Sequence, residues 1–357
     1  MNNDKLNEAE MKELYESELY GEWMRLVEMT LETLKMKPNR TESEEKMLNE
    51  LISATNEDRR IMGELSKTKF KRPENLVMAN TKLTNLTFDN TNDLSEGVEI
   101  VVSAPKKKEF EITAKVVSQL DVEGIKITRQ LSEQDRCVFD AVLTLFVEGQ
   151  RTFTAKQVYK TYTGLDRMNP SAIENVENII DKMRFTSIDI DWTEHARMNK
   201  LDEETVSQKV TVTVGGYLLP LEVIQVDDGD THQIMYRFIK EPVYLTYSRL
   251  VGQLVTIPAE MLKLESLDMT PERIAIQHYM MRRIEIMNNK RNKSNNRTML
   301  FETIFEKCGI DTTSRTKKSR SVASIEKILT EWIERKYIKG YRITTKGKAK
   351  TGVEISL

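Results

Sequence analysis

Residues 315–343 read "RTKKSRSVASIEKILTEWIERKYIKGYRI", and 344–352 continue "TTKGKAKTG". Val322, Ile325, Ile328, Leu329, Trp332 and Ile333 recur at helical spacing, which predicts a helix with one buried stripe. After it, "KYIKGYRI", a turn through Lys346-Gly347-Lys348, and "GVEISL" predict a strand–turn–strand hairpin. Two helices are predicted upstream. Thr270-Pro271 opens the first, with Ile276, Tyr279, Met280, Ile284 and Met287 on one side. The polar loop "NNKRNKSNN" leads to the second, with Leu300, Phe301, Ile304 and Phe305. Three helices followed by a β-hairpin is the order of a winged helix-turn-helix.

Working outward, the same order occurs once more. "EFEITAKVV" reads as a strand, and Ser132 caps a helix with Val138, Ala141, Val142, Leu145 and Phe146 in one stripe. "RTFTAKQVYKTYTG" gives a short extended piece and a second helix ending at Gly164. Asn169-Pro170, a cap followed by proline in the first turn, opens a third with Ile173, Val176, Ile179, Ile180 and Met183. "TSIDIDW" and "KVTVTVGGYLLPLEVIQVDDGDTHQIMYRFI" read as strands around Gly215-Gly216 and Asp227–Asp230. The fold class expected is therefore α+β, with two winged helix-turn-helix domains in tandem. They follow an N-terminal helical extension.

In that extension Tyr15, Leu19, Trp23, Val27, Leu31 and Leu34 keep a helical period until Pro38-Asn39. Thr41 and Glu44 then form a capping box ahead of Met47, Leu48, Leu51, Ile52, Met62 and Leu65. The expected organisation is a helical hairpin over 1–66, an Asn-, Thr- and Lys-rich linker over 67–109, a first winged helix with an added β segment over 110–264, and a second over 265–357.

Charge separates the two winged helices. The chain of 357 residues has a net charge of −2, yet Pro271–Leu357 holds 20 Lys+Arg against 9 Asp+Glu. The remaining 270 residues then carry 34 basic and 47 acidic groups. A basic block of this size is the footprint of a polyanion partner. The third helix of the second domain sets Arg320, Ser321, Ser324 and Lys327 opposite its apolar stripe, preceded by Arg315, Lys317, Lys318 and Ser319. In helix-turn-helix proteins the start of this helix enters the major groove, where arginine forks onto guanine and Ser or Lys reaches base edges or phosphates. Arg342, Lys346, Lys348 and Lys350 of the hairpin would lie along neighbouring phosphates, each adding salt-dependent affinity. A lysine-rich surface can also be a solvated face, and a winged helix can bind protein. The helical order together with the charge favours double-stranded DNA. The third helix of the first domain instead shows Glu174, Glu177 and Asp181 against Lys182 and Arg184, and residues 131–200 carry 9 basic and 11 acidic groups. Protein contact is the role expected there, although Arg151, Lys156, Lys160 and Arg167 could touch a DNA backbone.

Enzyme, metal and cofactor readings fare poorly. His195, His232 and His278 are far apart in sequence, and Gly340–Lys348 misses the phosphate-loop pattern in length and hydroxyl. "DIDWTEH" brings Asp189, Asp191, Glu194 and His195 near each other, but a strand with outward acids running into a polar loop is the commoner arrangement. Cys137 and Cys308 have no CxxC spacing; both are expected inside helices as small buried side chains, in a reducing cytoplasm. No run reaches the length of a membrane span, and "MNNDKLNEAEMKEL" is too acidic for a signal peptide. The expectation is a non-enzymatic, cytoplasmic protein with no cofactor, no metal and no membrane partner.

Tandem winged helices, with "FDAVLTLFVEGQRTFTAKQVYKTYTG" in the first and "MTPERIAIQHYMMRRIEIMNN…RTMLFETIFEKCGI" leading into the second, resemble the replication initiators of bacterial plasmids and related mobile elements over roughly 110–357. The resemblance implies that the C-terminal winged helix reads repeated origin sequences and that the N-terminal one dimerises or adds a DNA contact. It also implies recruitment of a host initiator or helicase. The chain departs from the commonest pattern in its extension, 1–66, and its β segment, 205–260. A winged-helix transcriptional regulator and a protein-interaction adaptor are the alternatives.

Overall fold

The computed structural model describes residues 18–37, 39–53, 70–89, 94, 98–104, 107–118, 130–191, 213–227, 232–250, 252–264, 268–288 and 296–357. Tyr15, Met62 and Leu65 of the predicted hairpin lie outside these residues. The described chain is a mixed α+β protein with open sheets. Helix α1 (Glu18–Met36) meets α2 (42–53) through Val27, Leu31, Leu34 and Leu48. Thr41 opens α2: its hydroxyl accepts from the Glu44 N–H at 3.3 Å, and the Glu44 carboxylate accepts from the Thr41 N–H at 2.9 Å.

Much of the stretch expected to be a linker, 67–109, is folded instead. It carries β1 (Asn75–Ala79), the short helix α3 (Lys82–Thr87) and β2 (Val98–Ala104). Leu76, Met78, Ala79 and Leu83 are almost wholly buried. Their polar neighbours hide a four-residue apolar run, Leu76–Ala79, whose strand partner lies far along the chain.

β2 pairs with β3 (Lys107–Ser118). The first winged-helix-type unit follows: α4 (Glu133–Val147), β4 (Thr152–Thr154), α5 (Ala155–Thr163) and α6 (Pro170–Arg184). Ser132, Thr154 and Asn169 each cap the helix that follows by accepting from a backbone N–H, and Gly164 closes α5 at φ +71°. β5 (Thr186–Asp191) and β6 (Thr213–Tyr217) then add to β2 and β3, giving a four-stranded sheet in the order β2-β3-β5-β6. β7 (Leu221–Asp227) and β8 (His232–Phe238) form a hairpin that pairs back onto β4, with Phe153 opposite Tyr236. Thus the inserted pair β5–β6 separates the third helix of this unit from its wing.

Helix α7 (Val243–Leu250) leads into β9 (Leu254–Pro258), which pairs antiparallel with β1 from Asn75–Pro258 to Ala79–Leu254. The second unit is α8 (Pro271–Asn288), β10 (Thr298–Leu300), α9 (Phe301–Lys307), α10 (Arg315–Glu334), β11 (Gly340–Lys346) and β12 (Ala349–Ser356). Its sheet runs β10-β12-β11. The boundary expected at 265 also needs correction. Leu76 and Met78 of β1, Ile257 of β9, and Met261 and Leu262 beyond it share one core with α8, α9 and α10. Cys137 is buried within α4 as expected, but Cys308 follows α9 at its C-terminal cap rather than lying inside it.

Candidate nucleic-acid interface

Val322, Ile325, Ile328, Leu329 and Trp332 form the buried stripe of α10, packed with Ile276, Met280 and Ile284 of α8 and Phe301, Ile304 and Phe305 of α9. With that side committed, Arg320, Ala323, Lys327 and Thr330 face outward at helical spacing. The basic residues expected in a turn before this helix are its first turns. Ser314 caps it, accepting from the Lys317 N–H at 3.4 Å, so Arg315, Lys317, Lys318, Ser319 and Arg320 all stand exposed on its N-terminal end. The helix dipole adds a partial positive charge there.

The wing lies beside this helix. Lys346 and Ala349 pair across a two-residue turn, with Gly347 at φ +63°, a left-handed conformation that glycine adopts without penalty. Tyr341 reaches the Glu326 carbonyl and Lys350 pairs with the Glu326 carboxylate, which ties β11–β12 to α10. Gly352 sits where a Cβ would come within 2.6 Å of the Met299 carbonyl, so its missing side chain lets β10 approach β12.

All the predicted contact residues except Ser324 divide into three groups. Arg315, Lys318, Ser319, Arg320, Lys327, Lys346 and Lys348 are exposed, and none of the cations among them makes an ion pair with a described residue. Ser321 is half-buried. Lys317, Arg342 and Lys350 are exposed but paired. Lys317 lies 3.5 Å from Asp311, and Arg342 bonds Glu354 directly across the β11–β12 ladder. The Asp311 carboxyl is held below its ordinary range by bonds from Thr313 and then by Lys317. Exposed pairs of this kind contribute little stability and can exchange partners.

Ser324 is a correction. It is 6 % exposed, and its hydroxyl takes the Arg273 guanidinium N–H at 3.3 Å, so it braces α8 against α10 and offers nothing outward. Asp311, Glu326 and Glu354, the carboxylates that neutralise part of the cationic surface, went unnoticed in the sequence. For Glu354 the signal was available in the hairpin register, which sets it opposite Arg342.

The third helix of the first unit differs as its charge suggested, with one change. Lys182 does not oppose the acids at the surface. It is buried and donates to Asp135 at 2.7 Å and to the Gln130 carbonyl at 2.9 Å. Arg184 pairs with Asp181, leaving Glu174 exposed and Glu177 half-buried on the outward side of α6. Arg151 lies 4.0 Å over the Phe146 ring, and Lys160 stands 3.6 Å from Asp166.

Asp189 and Asp191 lie on β5, while Glu194 and His195 fall outside the described residues. Among the described residues no three His, Cys, Asp or Glu side chains are grouped to hold a metal, and no helix is long and apolar enough to cross a membrane. Burial pushes the Cys308 thiol up to about 12 and the Cys137 thiol well above its ordinary value, which disfavours the reactive thiolate.

No protein-family model and no curated protein matches the chain. Among solved structures, the chain is similar to a selenomethionine crystal structure of domains 2 and 3 of RctB, at 16% identity and a TM-score of 0.41, over 77% of this chain and 95% of that one. A second crystal structure of RctB domains 2–3 matches at 10% identity and a TM-score of 0.39, over 78% of this chain and 97% of that one.

Proposed function

We propose that the chain is a sequence-specific DNA-binding replication initiator of a plasmid or related mobile element, with two winged helix-turn-helix domains in tandem. The observation that carries the DNA reading is the cationic surface of α10 and its wing, where Arg315, Lys318, Arg320, Lys327, Lys346 and Lys348 are exposed and free of carboxylate partners among the described residues. In this reading the N-terminal half of α10 enters the major groove, Arg320 addresses a base edge, and the wing lysines lie along phosphates. Initiation, rather than transcriptional regulation, follows from the resemblance of the tandem arrangement, and it requires repeated sites.

The first winged helix then serves protein contact, since the outward side of α6 is acidic. Among the described residues β6 is an edge of its four-stranded sheet, with Tyr217 exposed, which suits pairing with a second copy. Residues 1–66 are read as a further protein contact. DNase footprinting of purified protein on the DNA flanking its gene tests the proposal. Protection of directly repeated sites is expected. Protection of a single operator-like site would favour a regulator, and absence of any protection would leave a protein-binding adaptor. Sedimentation over a concentration series tests self-association, with a concentration-independent monomer as the refuting result.

A further inference from the structure

Three carboxylates stand within the cationic surface of the second unit, and each holds a different predicted DNA contact. Asp311 precedes the cap of α10 and lies 3.5 Å from Lys317 in the first turn of that helix. Its carboxylate also accepts from the Thr313 N–H at 2.9 Å and the Thr313 hydroxyl at 2.5 Å, which fixes it beside the helix start. Glu326 of α10 pairs with Lys350 of β12. Glu354 of β12 accepts from Arg342 Nε at 3.1 Å and Nη2 at 2.5 Å, across the ladder from β11. Each pair therefore joins two different elements of the candidate interface. Of the nine basic residues predicted to meet DNA, three are committed to carboxylates in this way, and six have no such partner among the described residues.

These pairs do little for the fold. β12 is held by Val353 and Ile355 in the core and by its backbone ladder, and α10 by its buried stripe. The paired cations are half exposed or more, at 58% for Lys317, 50% for Lys350 and 79% for Arg342, so the pairs add little stability and part at little cost. Their effect on a polyanion is different. A paired cation presents almost no net charge beyond a Debye length of about 8 Å, and it releases no counterion from DNA while its carboxylate holds it. To reach a phosphate it must exchange partners. A duplex seated in one register can offer a phosphate to all three cations together, which a duplex sliding through many registers cannot.

We propose that Asp311, Glu326 and Glu354 restrain the DNA-binding surface. Each holds one cation off phosphate until a duplex is seated on its own site, and together they widen the gap between specific and non-specific affinity. The inference rests on the DNA reading of α10 and its wing. It assigns the three carboxylates a role in specificity, exerted through Lys317, Lys350 and Arg342 and without contact to a base.

The test is fluorescence anisotropy of the full chain on two duplexes over a series of salt concentrations: one selected by the native protein from a random pool, the other its scrambled form. Asp311→Asn, Glu326→Gln and Glu354→Gln should each tighten the scrambled duplex about threefold or more at low salt and steepen its salt slope by about 0.9, the value for one added phosphate contact. The selected duplex should change less, so the specificity ratio falls. Removing any negative charge near DNA could tighten binding, and a double-variant cycle separates that effect. Added to Arg342→Gln, Glu354→Gln should shift the scrambled affinity by less than about twofold, because the cation it restrains is gone. Thermal melting checks that every variant folds. Unchanged scrambled affinity in all three variants, equal tightening on both duplexes, or an undiminished Glu354→Gln effect in the Arg342→Gln background would each overturn the proposal. Native protein that binds neither duplex at low salt would overturn the DNA reading itself, and this inference with it.

Discussion

Acidification should loosen the junction between the two winged-helix-type units through His278. This side chain is fully buried on α8, and its Nε2–H donates to the Tyr162 carbonyl of α5 at 2.8 Å, while Nδ1 has no partner. Burial pulls its pKa from 6.5 to about 4, with the bond to Tyr162 opposing the drop. The neutral ring is thus the folded form, and protonation would put a charge and an unmet Nδ1–H between the two units. Between about pH 6.5 and 4 the unfolded chain binds the proton that the folded chain refuses, so stability rises with pH across that window. The contribution is fully present above pH 6.5 and is lost as pH falls towards 4; at 1.36 kcal/mol per tenfold it amounts to about 3 kcal/mol. His278→Gln keeps an N–H for the Tyr162 carbonyl and cannot titrate. Urea unfolding of both proteins, followed by circular dichroism at several pH values from 7 down to 4, isolates the residue. The native protein should lose about 3 kcal/mol more than the variant across the window. Parallel pH profiles would refute the reasoning.

Arg320→Ala should cost about 1–3 kcal/mol on the specific duplex, whereas Lys348→Ala should weaken all sequences alike and lower the salt dependence; fluorescence anisotropy on specific and scrambled duplexes at several salt concentrations distinguishes them. Met78→Ala should destabilise the protein by about 2–5 kcal/mol, because the side chain is fully buried in the core shared with α8. By the same reasoning a fragment 265–357 should melt well below a fragment 70–357, since it lacks β1, Ile257 and Met261; equal melting temperatures would show that the shared core is dispensable. Gly352→Ala should push β10 from β12 and reduce stability and DNA affinity together, which melting and anisotropy would reveal. Removal of residues 1–66 should leave duplex affinity within about twofold, because Val27, Leu31, Leu34 and Leu48 form an apolar cluster of their own, distinct from the cores of the two winged-helix-type units; a larger loss would assign the hairpin to the DNA-binding unit.

Short-range signals were legible in the sequence, because a cap, a period and a turn residue act within one or two turns of chain. Ser132, Asn169 and Pro271 mark helix starts where those helices form, and Gly347 marks the wing turn. The apolar stripe of α10 determined which of its residues could face outward, and with them most of the candidate surface. Ser324 escaped that logic because its position beside the stripe becomes buried only when Arg273 of α8 packs over it. Lys182 and Arg282 likewise look like surface charges until α4 supplies Asp135, Glu133 and Asp140 to receive them.

Only the tertiary structure decided that residues 75–104 belong to the folded body. β1 carries four apolar residues and finds its partner, β9, nearly half the chain away, and no local pattern specifies such a pairing. The same holds for the junction. His278 against Tyr162, and Arg136 with Arg282 around one cavity, exist because two units of similar order were packed through α4 and α8. The sequence determined the units by local periodicity and charge. Their joining depends on buried contacts between residues more than a hundred positions apart, and so had to be read from the packed chain.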